Sequence, residues 1–226
     1  CNGDDRFLEH AQIFALITIA DRTATLPGLK DANPRVQRAA LIALDQMDNG
    51  NLTRDLVTPF LESGDAALQR TALSVITARP EWADSMADLV RQWLASTELP
   101  EGRRSLLQAA LLAFCKNSAI QEAVARAIKQ DATVVAMRLL ILEVMAQVPL
   151  EPLPQSWIRE VGRCLSHPDA RVLVQAVAAI RSRGVTDFDE ALLRLGRDDK
   201  QPPEVRIAAL QAATSRCQSI DPVVFD

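Results

Sequence analysis

Residues Asp31–Leu44 read DANPRVQRAALIAL. An acidic, Pro-containing turn leads into an amphipathic helix with Val36, Ala40, Leu41 and Leu44 on one face. Variants of the phrase recur at Asp65–Ile76 (DAALQRTALSVI), His167–Ile180 (HPDARVLVQAVAAI) and Pro202–Ala213 (PPEVRIAALQAA). The first apolar residue of each such helix falls at Leu8, Val36, Leu68, Leu106, Val135, Val172 and Val205. Successive spacings run from about 28 to about 38 residues, the period of helical-hairpin repeats. One helix buries a stripe of about four apolar side chains, too few at ~1.5–3 kcal/mol each to offset the ordering entropy of ~30 residues. Hairpins stacked side by side complete the core, so the expected fold is all-α, a right-handed α-α superhelix of about seven hairpins.

Composition agrees. The chain has 226 residues, 48% hydrophobic but 4% aromatic, with no Tyr and 8 Gly. Abundant Ala and Leu suit close helix packing, and few β-branched runs argue against sheets. Between the repeated helices lie partner elements: a Pro-bearing turn at Arg22–Leu29, a helix over Arg54–Glu62 capped by Thr53, and helices over Glu81–Ser96, Ala119–Gln130, Gln155–Leu165 and Phe188–Arg197. The first helix is expected over Asp4–Ala20, and the last over Pro203–Arg216. Val148–Pro154, with three prolines, reads as a longer loop within a single solenoid over residues 1–226. The chain reads as an excerpt of a longer protein, stopping at Asp221–Pro222 where another turn would start.

The A-A-L-x-A-L helices after Asp- and Pro-bearing turns resemble HEAT repeats over nearly the whole chain. Asp5–Asp21 (DRFLEHAQIFALITIAD) and Gln37–Asp48 (QRAALIALDQMD) are, more narrowly, similar to the HEAT segment of exported planctomycete-type proteins that join a sugar-dehydrogenase-like propeller to a c-type haem-binding domain. That resemblance implies a connector between an oxidoreductase-like module and an electron-accepting one, outside the cytoplasm. The haem attachment pattern CxxCH does not occur in the sequence, so the resemblance carries over no catalytic residue and no cofactor.

A net charge of −4 gives no general attraction to nucleic acid. The longest apolar run, Ile13–Ala20, falls short of the ~18 residues of a membrane span. Cys1, Cys115, Cys164 and Cys217 are too scattered for a disulfide framework, and Cys1 reads as the point of an arbitrary cut rather than a lipidated terminus. Cys164 with His167 supplies two metal ligands at most, and His10 is too distant to join them. Gly50, Gly64, Gly102 and Gly184 look like turn residues rather than a phosphate loop.

The most regular polar feature is the set Asp31/Arg35/Arg38, Asp65/Arg70, Asp131/Arg138 and Asp169/Arg171. Its structural reading is an inter-repeat ladder with turn aspartates at helix N-termini, as in similar HEAT families. Its functional reading is a binding stripe of Arg35, Arg38, Arg70, Arg104, Arg138, Arg171 and Arg206 along the inner helices, facing an acidic partner. Trp82, Trp93 and Trp157 fall on the outer helices, which counts against a base-excising glycosylase that needs aromatics on the inner face. The expected role is a non-catalytic scaffold or spacer that docks a protein or a neighbouring domain. The alternative is a small HEAT-like lyase or glycosylase working on the concave face.

Overall fold

The computed structural model describes residues 6–214. The fold is all-α, with no strand among those residues. Thirteen α-helices follow one another: α1 Arg6–Ile19, α2 Arg22–Thr25, α3 Pro34–Gln46, α4 Arg54–Val57, α5 Ala66–Thr77, α6 Ala83–Leu94, α7 Glu101–Ala113, α8 Ser118–Lys129, α9 Val135–Gln147, α10 Gln155–Cys164, α11 Ala170–Ser182, α12 Asp189–Arg197 and α13 Pro203–Thr214. The expected helix start at Asp4 and end at Arg216, together with Cys1, Cys217 and Asp221–Pro222, lie outside the described residues. The chain forms two compact units that divide between Met86 and Ala87, within α6.

In the first unit α3 packs against α1 on one side and α5 on the other. Helix α3 starts where the sequence announces it. Asn33 accepts a hydrogen bond from the Arg35 amide at 3.0 Å, and Pro34 occupies the first turn, where its missing N–H costs nothing. Ala40, Leu41 and Leu44 are buried and Val36 is half-buried. At α5, Asp65 accepts from the Leu68 amide at 2.7 Å. The connecting elements span the expected residues, but only their first turn is α-helical. After α2 and α4 the chain tightens into 3-10 turns at Leu26–Lys30 and Thr58–Glu62, each with a proline (Pro27, Pro59) in its first turn. A proline there donates no bond to the preceding turn, so neither α-helix can run on. Thr53 stands at the start of α4 without a side-chain capping bond; instead the Leu56 amide bonds the Thr53 carbonyl at 3.1 Å.

The second unit repeats the arrangement with longer partners. Helices α7, α9, α11 and α13 pack in succession, and α8 packs on α10 behind them. Helix α9 (VAMRLLILEVMAQ) is apolar nearly all round, because it lies between α7, α8 and α11 and buries Met137, Leu140, Ile141, Leu142, Val144 and Met145. The Pro-rich loop, which includes a cis Glu151–Pro152 bond, lies within this unit. Arg183 at the end of α11 holds it by donating to the Val148 carbonyl at 3.0 Å and to the Leu150 carbonyl. Close approach dictates two glycines: a Cβ on Gly196 would lie 2.6 Å from Leu210 Cδ2, and one on Gly162 would lie 2.4 Å from Phe188 Cε1.

Candidate functional site: a groove between α1, α3 and α5

The seven arginines of the stripe have four distinct surroundings. Arg138 is buried and donates to the carbonyls of Ile128 (2.5 Å), Gln130 and Thr133 (3.2 Å), closing the C-terminal end of α8. It presents nothing to a partner. Arg38 and Arg104 are half-buried in ion pairs with carboxylates on neighbouring helices, Arg38 with Glu9 of α1 and Arg104 with Glu143 of α9 at 2.5 Å. Arg171 is exposed and grips Asp169, two residues before it, and Arg206 reaches the Gly196 carbonyl and Asp199 at 3.2 Å. Arg35 and Arg70 are exposed, and Arg70 makes no ion pair or side-chain hydrogen bond with any described residue.

The turn aspartates act locally. Asp31 accepts from the Asn33 amide at 2.8 Å, while Asp65 and Asp169 cap α5 and α11. Helix-to-helix stitching comes instead from acids inside the helices: Glu9 to Arg38, Asp45 to Arg79 at 2.5 Å, and Glu143 to Arg104. These partners sit 29, 34 and 39 residues apart, close to the repeat spacing. An acid one period away from an arginine was the signal that marks them, and it escaped a reading centred on the turns. Glu143 also accepts from Gln108 at 3.3 Å, so the α7–α9 face satisfies its own charges.

Electrostatics follow from these contacts. The Arg171 hydrogen bond holds the Asp169 carboxyl down to about 2. Burial pushes the Cys164 thiol up to about 11, and burial raises Cys115 as well. His167 accepts the Asp169 amide on Nδ1 at 3.0 Å, which commits that nitrogen to the turn. Among the described residues no group of three or more His, Cys, Asp or Glu side chains gathers as a metal site would require. Also among them, no helix is long and apolar enough to cross a membrane.

The tryptophans are structural. Trp157 is fully buried and donates from Nε1 to the Gln121 carbonyl at 2.9 Å, tying α10 to α8. Trp93 is buried beneath the Arg103 guanidinium, and Arg79 stacks on Trp82 at 5.0 Å.

One groove collects side chains from three helices. It lies in the first unit, encloses about 530 Å³, and draws on α1, α3 and α5. Its floor is apolar: Ile13 and Ile17 of α1, Ile42 of α3 and Ala67 of α5. Glu9, Arg38 and Arg70 stand at its edge, and Phe14 lies beside the floor with 69% of its surface exposed. Of the stripe, Arg38 and Arg70 come together here. The rings of Phe14 and His10 and one carboxylate are present, but Arg38 already holds that carboxylate. The sequence reading missed Phe14; it lies one turn along α1 from His10, on a face that the core does not need. Compared with known proteins, the chain matches no family model and no curated protein.

Proposed function

We propose that the chain is a non-catalytic docking scaffold of HEAT type, a stack of helical hairpins forming an α-α superhelix, and that the α1/α3/α5 groove receives a segment of another protein or of a neighbouring domain. The groove carries this reading. It joins an apolar floor to an exposed guanidinium that makes no ion pair with any described residue, whereas Arg138 closes a helix end and Arg79 and Arg104 pair with acids of neighbouring helices. The successive packing of α7, α9, α11 and α13, with α8 on α10 behind them, supports the repeat assignment. A connector in an exported oxidoreductase would use such a groove to dock its flanking module.

Site-specific photocrosslinking tests the reading. p-Benzoylphenylalanine placed at Ile42, in the groove, is compared with the same group at Glu122, an exposed position on α8. Protein adducts concentrated at position 42 are expected. Equal yields at the two positions, or none at 42, defeat the docking reading.

A further inference from the structure

We infer that the occupant of the α1/α3/α5 groove is an acidic amphipathic helix, seated with its apolar stripe on the isoleucine floor and a carboxylate on Arg70. The inference rests on the docking reading above and adds the chemistry of the partner.

Charge comes first. Two guanidiniums, Arg38 and Arg70, line the groove against the single carboxylate of Glu9. Glu9 is spent on Arg38, and Arg70 makes no ion pair with any described residue. This local excess is positive in a chain whose net charge is −4. A carboxylate meeting Arg70 gains a planar two-pronged partner without displacing an existing pair.

Shape comes second. Ile13 and Ile17 lie one turn apart on α1, and Arg38, Ile42 and Gln46 follow the same interval along α3. The apolar strip therefore runs along the helix axes with a repeat of ~6 Å per turn. An incoming helix with apolar residues at i, i+3 or i+4, and i+7 has the matching spacing. Ala67 on α5 leaves the strip open on that side, and exposed Phe14 offers an aromatic flank. The groove has room for the side chains along one face of a helix rather than for a helix entire. A nucleic-acid backbone fits less well, because its phosphates would lie over isoleucines and beside Glu9.

The test uses the 226-residue chain and three fluorescein-labelled peptides read by anisotropy. One carries Leu at helical spacing with Glu on its flanks, one has every Glu replaced by Lys, and one scrambles the first to destroy amphipathicity. The acidic amphipathic peptide is expected to bind, and Arg70→Glu to weaken it by about tenfold or more, as does Ile42→Glu. Arg171→Glu, an exposed charge in the second unit, is expected to leave binding unchanged. Circular dichroism checks that each variant keeps its helices; Arg70 is exposed, so its replacement leaves the core intact.

Equal binding of the scrambled or the Lys peptide overturns the inference. So does concentration-dependent self-association abolished by Ile42→Glu, which would make a second copy the occupant. If the peptides fail while protein crosslinks still concentrate at position 42, the partner chemistry is wrong and the docking reading stands. If both fail, the docking reading falls as well.

Discussion

Removing the Arg138 guanidinium leaves the carbonyls of Ile128, Gln130 and Thr133 without these donors. Arg138→Met is therefore expected to lower stability by about 2–4 kcal/mol, read as a shift in the urea midpoint, since three carbonyls, that of Ile128 buried, lose charge-assisted bonds. Lysine should not restore it, because one ammonium cannot span three carbonyls in the fixed fork of a guanidinium. Exposed Arg171 makes the contrast: Arg171→Ala is expected to shift the midpoint at pH 7 far less than Arg138→Met, because solvent screens the pair. The Arg171 pair also shows in acid. Asp169 titrates near 2 in the folded chain against an ordinary 3.8, so its contribution is present above about pH 4 and fades as pH falls toward 2. Carboxyl NMR should give that low midpoint, and Arg171→Gln should bring it back up toward 3.8. From sequence these two arginines looked alike, each following an aspartate at the head of a repeated helix. What separates them is the depth of the surrounding helices, which helical periodicity does not encode.

At the level of helices, one close approach falls where α12 packs on α13. Gly196→Ala would drive a methyl into Leu210, and the expected cost is about 1–3 kcal/mol in chemical denaturation. Gly102 in the first turn of α7 has nothing within 4 Å of an added Cβ, so Gly102→Ala should stabilise, by about 0.5 kcal/mol. Neither glycine's role shows in the sequence, where Gly102 looked like a turn residue and Gly196 was one position in an outer helix. The positions of the repeated helices were legible, because Asn33, Asp65 and Asp169 cap them and their apolar faces recur. The connecting elements were less so. Pro59 breaks what looked like one helix over Arg54–Glu62, and Thr53 leaves its capping role to a backbone turn. Of the groove, Arg38 and Arg70 were legible as cations on repeated helices. Glu9 and Phe14 were not, because their significance depends on which helix faces which.

Across the whole chain, the buried thiols report on integrity. Cys164 ionises only near 11 when folded, against an ordinary value of 9.0. Its folded-state advantage is complete below about pH 9 and is lost as pH rises toward 11. Brief alkylation at pH 8 followed by peptide mapping should leave Cys115 and Cys164 unmodified until denaturant is added. A charge of −4 and an all-α fold suit many roles, so the docking proposal rests on the groove rather than on bulk composition. One property of that groove comes from its thinnest wall. Ile13 is the one buried side chain among the described residues of α1, whereas α3 buries five. Helix α1 thus has little to lose by detaching, and its amides should exchange with deuterium well before those of α3. An occupant would then have to immobilise its own binding wall, surrendering part of its contact energy to that ordering. Such a groove would bind a partner less tightly than its contacts alone allow, and slowed exchange in α1 would be the first sign that it is filled.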